Sequence, residues 1–303
     1  MAYAAAISRS NPSCFLFLID QSGSMNEVMN PTNVRPAGAP HQADGKTYTH
    51  VADGPTKAQS VADAINRLLQ TLTIKCAKSE GIRDYFDVGV VGYGGEETES
   101  HIAPAMAGVL AGRDLAPISE IANNPARIDE RVKKVADGAG GLVEQKIKLP
   151  IWFDAVAKGG TPMCAALRRA RSILEPWVLE HPDSFPPIII NITDGESTDG
   201  DPSTEAFSLR SLSTRDGNAL FFNVHISSRA GSPIELPSDA SALPDDYAKT
   251  LFHASSVLAP AMISQARLEG MPVTDQSRGF VYNAAIENVI QFLVIGTRPS
   301  NLR

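Results

Sequence analysis

The chain has 303 residues, of which 43% are apolar and 20% charged, and its formal net charge is -7. This composition is typical of a soluble globular protein that can bury a large core. The negative charge and the lack of a clustered Lys/Arg stripe argue against nucleic acid as the main partner. No apolar run approaches the ~20 residues of a membrane helix, and the N-terminus lacks signal-peptide features. We therefore expect a cytoplasmic protein without nucleic-acid or membrane partners.

The three cysteines, Cys14, Cys76 and Cys164, show no metal-ligand spacing. Free cysteines of this kind are usually small buried residues of proteins in a reducing compartment. We predict that these three are buried and structural.

The first predicted element is a buried strand at residues 15–19, an unbroken apolar run typical of parallel sheets covered on both faces. A long polar connection, residues 25–54, follows it, and residues 46–51 have the pattern of a small hairpin strand. A helix comes next, because Thr56 and Gln59 form a capping pair and apolar residues then recur at three- and four-residue spacing.

The middle of the chain is less regular. A second buried strand is predicted at residues 86–93, and the acidic residues 96–99 are expected to form a solvated loop. Residues 128–135 have the pattern of a short helix. Residues 143–153 alternate between apolar and charged, which predicts a half-exposed strand at a sheet edge or in a hairpin arm. Pro150 favours the edge position.

Helices and buried strands alternate again in the second half. The predicted elements are a helix that begins at Thr161-Pro162, a strand at 188–192, a short helix from Asp201, a strand at 219–226, and helices near 247–257, 259–268 and 286–295.

This order predicts an α/β fold, a doubly wound and mostly parallel sheet with helices on both faces and one antiparallel edge strand. We assign residues 13–303 to one domain, with insertions at about 25–54 and 100–158 and a C-terminal helical extension at about 245–296.

Polar side chains collect where the buried strands end. Asp20, Ser22 and Ser24 follow the first strand, Thr161 begins a helix, and Asp194 comes after a later strand. In a doubly wound sheet, ligands bind outside the carboxyl ends of the strands, so we expect these side chains on one rim. Two carboxylates and three hydroxyls form an oxygen-only site of the kind that Mg2+ favours, with Mn2+ or Ca2+ as alternatives.

Simpler roles are also compatible with parts of this pattern. Asp194 and the glycine after it can form a plain turn, and Thr161 can be a helix cap, although neither role prevents an oxygen from facing an ion. His41, Asp44 and His50 in the long connection could bind zinc, but their irregular spacing favours ordinary surface residues.

The stretches Asp20-Gln21-Ser22-Gly23-Ser24, Gly160-Thr161-Pro162 and Thr193-Asp194-Gly195, in this order between buried strands, resemble a known site. It is the metal-ion-dependent adhesion site of von Willebrand factor type A domains, and all five of its polar positions are present. The resemblance covers about residues 13–228 and implies the fold of that family.

The resemblance also implies roles for single residues. Ser22 and Ser24 would bind the metal directly, and Thr161 would bind it directly or through water. Asp20 and Asp194 would act through water or as hydrogen-bonding supports. A Glu or Asp carboxylate of a partner protein would take the open coordination position.

A non-enzymatic, metal-dependent protein-interaction module is therefore expected. Intracellular relatives without a secretion signal resemble microbial regulatory proteins of stress or defence systems, which often act with kinases, phosphatases or ATPases. The resemblance therefore implies a kinase, phosphatase or ATPase of the same system as a partner.

Two other functions remain open. The first is a Mg2+-dependent phosphoryl-transfer enzyme, but phosphatases of the haloacid type need a second Asp two residues after the nucleophile, where this chain has Ser22. A phosphate-binding loop motif is also absent from the sequence. The second is a structural subunit in which the metal only stabilises the rim.

Overall fold

The computed structural model describes residues 2–29, 33–43, 46–96, 99–136, 142–226 and 233–283. Its helices are α1 (Lys57–Cys76), α2 (Ile118–Asn123), α3 (Met163–Glu180), α4 (Ser203–Arg210), α5 (Asp246–Ala254) and α6 (Pro260–Leu268), with 3-10 turns at Gly23–Asn26 and Gly108–Leu110. Its strands are β1 (Ser13–Asp20), β2 (Asn33–Ala43), β3 (Lys46–Asp53), β4 (Ala77–Lys78), β5 (Gly81–Ile82), β6 (Phe86–Glu96), β7 (Glu99–Pro104), β8 (Ala116–Pro117), β9 (Arg127–Ala136), β10 (Leu142–Ile151), β11 (Ile188–Thr193), β12 (Ser213–Thr214), β13 (Gly217–Asn218), β14 (Leu220–His225), β15 (Ile234–Glu235) and β16 (Phe280–Tyr282).

The central sheet has the strand order β15-β16-β14-β11-β1-β6-β7, with β8 also paired to β6. Its inner strands β6, β1, β11, β14 and β16 are parallel. The marginal strands β7, β8 and β15 run antiparallel to their neighbours. The predicted fold class, a mostly parallel α/β sheet with an antiparallel edge, is therefore confirmed.

Strand β1 occupies the middle of the sheet, and all eight of its residues are buried. Because side chains of a strand alternate between the two faces, Phe15 and Phe17 pack into the core under α1 and α6. Leu16 and Leu18 pack on the opposite face, against α3 and α5. The continuous apolar run is thus explained by helical layers on both sides of the sheet.

Residues 127–136 form the strand β9, so the predicted short helix at residues 128–135 is wrong. This strand pairs along its length with β10 in an antiparallel two-stranded sheet. The pairing partner explains the error, since a segment that mixes a few β-branched residues with many charged ones has no strong local preference and becomes a strand when β10 supplies hydrogen bonds. The alternating residues near 143–153 are a hairpin arm and do not lie at the edge of the central sheet.

The long polar connection at residues 25–54 is largely a hairpin. Its strands β2 and β3 pair in antiparallel fashion, with an irregularity between Pro36 and His41. The predicted hairpin strand at 46–51 is confirmed. An isolated bridge between Val28 and Thr56 closes the base of the hairpin where α1 begins.

The helical extension contains α5 and α6, close to the predicted bounds. The helix predicted near 286–295 lies outside the described residues.

Strands β7 and β16 were not predicted. Each of them is short and pairs with a strand of the central sheet. Within the described ranges, none of the helices combines the length and the apolar character needed to cross a membrane.

Candidate metal centre

The candidate site lies where β1 and β11 end side by side. The two strands pair in parallel up to Ile19 and Ile192, so Asp20 and Thr193 come next on the same rim. Within the central sheet, the strand that follows β1 along the chain is β6, which lies on one side of β1. The strand that follows β11 is β14, which lies on the opposite side of the β1–β11 pair. Such a reversal of strand order opens a crevice at the carboxyl ends, the usual ligand position of these sheets.

Asp20 is fully buried, and both of its carboxylate oxygens accept hydrogen bonds. The backbone N–H of Ser22 donates to Oδ1 over 2.8 Å, and the Thr193 hydroxyl donates to Oδ2 over 2.6 Å. Burial raises the pKa of Asp20 to about 6; the bonds from Thr193 and Ser22 oppose this rise, and the charge of Asp194 adds to it. A buried carboxylate in this state gains free energy from a nearby cation.

A chain of hydrogen bonds links the Asp20–Ser24 stretch to Asp194 across the rim. The hydroxyl oxygens of Ser22 and Ser24 lie 3.0 Å apart, and the Ser24 hydroxyl donates to Oδ1 of Asp194 over 2.7 Å. A Cβ placed on Gly195 would lie 3.5 Å from Oγ1 of Thr161 and 3.7 Å from Oγ of Ser24. The structure therefore brings all five predicted site residues to one small space at the rim.

Backbone contacts of the Gly159 segment hold Thr161 at this place. The carbonyl of Gly159 accepts a bond from Gly23 N–H over 2.8 Å, and Gly160 N–H donates to the Gly95 carbonyl over 2.5 Å. Gly159 has a φ of 79°, and a Cβ on it would lie only 2.2 Å from the Gly95 oxygen. A residue without a side chain is thus required here by both conformation and space.

Thr161 does not cap α3, contrary to one of its predicted roles. The carboxylate of Asp199 caps this helix, since it accepts bonds from the N–H groups of Cys164 over 2.9 Å and Ala165 over 2.8 Å. The backbone of Thr161 is fixed by Thr198, whose N–H donates to the Thr161 carbonyl over 2.9 Å. Because the cap comes from a distant loop, local sequence gave no signal for Asp199.

Replacing Asp199 with alanine is expected to lower the free energy of unfolding by about 1–2 kcal/mol at pH 7, because two N–H groups of α3 lose their acceptor. Burial alone would raise the pKa of Asp199, but the bonds from Cys164 and Ala165 outweigh it and lower the pKa. The contribution is therefore complete above the unfolded-state pKa of about 4 and disappears as pH falls through the lower folded-state value.

Urea unfolding of wild type and Asp199→Ala, at pH 7 and at successively lower pH, checks this expectation. Asp183→Ala is the matched control, because Asp183 forms only an exposed pair with Arg215. The control is expected to change stability by less than about 0.5 kcal/mol. A stability difference for Asp199→Ala that stays constant down to pH 2 would contradict the assignment.

Lys57 is a residue of the rim that was not predicted. Its buried ammonium lies 2.7 Å from Oδ2 of Asp194 and 2.8 Å from Oε2 of Glu27. Burial alone would lower the pKa of Lys57, but the bonds and charges of Asp194 and Glu27 outweigh it and raise the pKa, so the side chain is an ammonium. Lysine at the first position of a helix opposes the helix dipole, and this anomaly was the available sequence signal.

The remaining candidates do not form a second centre in what the structure describes. Among the described residues there is no cluster of three or more His, Cys, Asp or Glu side chains suited to a metal. Asp44 and the side chains of His41 and His50, the zinc alternative, lie outside them. The three cysteines are buried and free, as predicted.

Comparisons with known proteins add little to this picture. No family model matches the chain, and no curated protein matches it. A structure of the vWF domain of the type V pili tip protein Mfa5 from Porphyromonas gingivalis is 14% identical, covers 96% of this chain and 79% of that chain, and has a TM-score of 0.28. A structure of three N-terminal domains of the same protein is 16% identical over 64% of this chain, with a TM-score of 0.29.

This chain spans only 21% of the length of that three-domain structure. At such TM-scores neither similarity supports a statement about fold or function. The strand order and pairing of the chain itself establish its fold, and the contacts at the rim define the candidate site.

Proposed function

We propose that this chain binds a divalent cation, Mg2+ or alternatively Mn2+ or Ca2+, at the rim and uses it to bind a protein partner. The observation that carries the proposal is the continuous hydrogen-bonded chain from Ser22 through Ser24 to Asp194, with Thr161 beside it. These residues are distant in sequence, and the hydroxyls and carboxylates that the fold brings together here are the oxygen ligands that hard divalent cations prefer.

The donor set fits such a cation. The hydroxyls of Ser22, Ser24 and Thr161 would hold it, while Asp20 and Asp194 supply negative charge from positions fixed by hydrogen bonds. Hard divalent ions prefer these oxygens to the nitrogen and sulfur ligands of zinc sites. When bound, the cation would offer a coordination position to a carboxylate from outside the chain.

A partner Glu or Asp is the expected occupant of that position. The site offers the dication only two negatively charged groups, and its three hydroxyls are neutral. Negative charge therefore does not exceed the charge of the ion, and its open coordination position can still attract a carboxylate. This arrangement, on a parallel sheet at a reversal of strand order, agrees with the sequence resemblance to von Willebrand factor type A domains. A cytoplasmic role beside a kinase, phosphatase or ATPase is supported by that resemblance alone.

We favour a binding module over a phosphoryl-transfer enzyme because of the environment of Asp20. Both of its oxygens accept hydrogen bonds, from Ser22 and Thr193, and the side chain is fully buried. A nucleophile needs a free oxygen directed at substrate and an acid-base group nearby. Ser22, which follows at the haloacid acid-base position, cannot supply that carboxyl group.

Mn2+ titration, followed by water proton relaxation, tests the proposal. Wild type is expected to bind Mn2+, and a peptide with one central Glu is expected to lower the relaxation enhancement because it displaces water from the ion. The same peptide with Gln is the control ligand. Ser24→Ala is expected to weaken Mn2+ binding at least roughly tenfold, the loss of one direct ligand.

Ser264→Ala is the matched control variant, since Ser264 bonds only to a carbonyl of α6 on the exposed surface. It is expected to bind Mn2+ like wild type. Equal Mn2+ affinity in Ser24→Ala and wild type would contradict the metal centre. Unchanged relaxation with the Glu peptide would contradict the partner-binding role.

A further inference from the structure

Lys57 contacts the candidate centre through Asp194, although it is neither a hydroxyl nor a carboxylate residue. Its side chain is 3% exposed, and that of its partner Asp194 is 0% exposed, so the pair is withdrawn from water. The same Asp194 accepts the Ser24 hydroxyl on its other oxygen. One carboxylate therefore connects the lysine directly to the proposed metal ligands.

A fixed ammonium at this place has two opposite effects. It neutralises a buried carboxylate, which would otherwise be strongly unfavourable without a cation nearby. It also repels an incoming dication, and this repulsion is strong because water does not screen the buried rim. Lys57 thus favours the metal-free protein and disfavours the metal-bound one.

Glu27 makes an exchange between lysine and metal feasible. Its carboxylate lies 2.8 Å from the same ammonium and is 26% exposed, so Lys57 keeps a partner if Asp194 turns to a metal. The pair lies at the base of the β2–β3 hairpin, where Lys57 N–H donates to the Glu27 carbonyl over 2.9 Å. An exchange at Asp194 would therefore leave the ammonium compensated.

We propose that Lys57 is a built-in competitor of the metal, a tethered cation that stabilises the metal-free rim and lowers its metal affinity. This inference rests on the proposed function, because it concerns regulation of the same centre. It makes metal binding at the rim weaker and more reversible than the three hydroxyls and two carboxylates alone would give.

The test compares wild type, Lys57→Met and Lys249→Met in thermal unfolding with EDTA and in Mn2+ titrations. Methionine keeps most of the length of lysine without the charge. For Lys57→Met we expect a Tm in EDTA lower by roughly 5 °C or more, since Asp194 loses its buried partner. We also expect Mn2+ affinity higher by at least about tenfold. Lys249 pairs with Asp246 on the surface, and its variant is expected to match wild type.

Each outcome bears on the proposal separately from the proposed function. Equal Mn2+ affinity in wild type and Lys57→Met would overturn the role of Lys57 and leave the metal centre intact. Absence of Mn2+ binding in wild type and in Lys57→Met would overturn both the role of Lys57 and the metal centre. Binding in Lys57→Met alone would support the competitor role and overturn metal binding by the natural chain.

Glu27→Gln provides a second measurement if Lys57→Met fails to fold. This change removes the negative charge that shares the ammonium, so Lys57 binds Asp194 more tightly and the rim becomes more positive. Mn2+ affinity is expected to fall several-fold. Unchanged or increased affinity in Glu27→Gln would overturn the proposal.

Discussion

Asp194→Ala is expected to lower the free energy of unfolding of the metal-free protein by about 3 kcal/mol and to abolish metal binding. The variant leaves the Lys57 ammonium buried without its nearer partner, and it removes the acceptor of the Ser24 hydroxyl. Removing one partner of a buried ion pair usually lowers the free energy of unfolding by about 3–5 kcal/mol. The lower end is expected here because Glu27 still faces the ammonium.

Urea unfolding in EDTA gives the measurement, and the double variant Asp194→Ala with Lys57→Met gives the control. Removing both charges relieves the uncompensated ammonium, so the double variant is expected to be clearly more stable than the sum of the single changes predicts. Strict additivity of the two changes, or a loss below about 1 kcal/mol for Asp194→Ala, would show that the pair does not hold the rim together.

Gly159→Ala is expected to lower the free energy of unfolding by about 3 kcal/mol or more and to weaken Mn2+ binding. The positive φ alone costs roughly 1–2 kcal/mol for a residue with a Cβ. Overlap of that Cβ with the Gly95 oxygen, at 2.2 Å, adds a further loss and forces the segment before Thr161 to move.

Gly270→Ala separates these two contributions. Gly270 has the same φ of 79°, but a Cβ on it would meet nothing within 4 Å. The control is therefore expected to show only the conformational loss and to leave Mn2+ affinity unchanged. Thermal or urea unfolding of both variants, with Mn2+ titration, makes the comparison. Equal losses in the two variants would mean that close approach at Gly159 is not what positions Thr161.

Buried strands and amphipathic helices were predictable because their patterns are local. The run that became β1 is apolar on both faces, which only a doubly covered strand explains. The cap of α1 was also predictable from the sequence, since the Thr56 side chain accepts a hydrogen bond from the Gln59 N–H as expected. The rim then followed from the rule that parallel strands end on one side of a sheet.

Features set by distant contacts were not predictable in this way. Strand β9 exists because β10 lies beside it, and its own residues also fit a short helix. The cap of α3 comes from Asp199, which is 35 residues away from Cys164 along the chain. Lys57 is 137 residues away from Asp194 along the chain, so only the folded structure shows that its ammonium pairs with this carboxylate.

The location of bound Mn2+ decides whether these segments form a metal centre. In crystals grown with Mn2+, we expect one anomalous peak at the end of β1, within bonding distance of the hydroxyls of Ser22, Ser24 and Thr161, and Lys57 turned from Asp194 toward Glu27. A fully ordered rim with no peak at saturating Mn2+, or a peak bound elsewhere while those hydroxyls face away from one another, would contradict the metal centre and the binding role built on it.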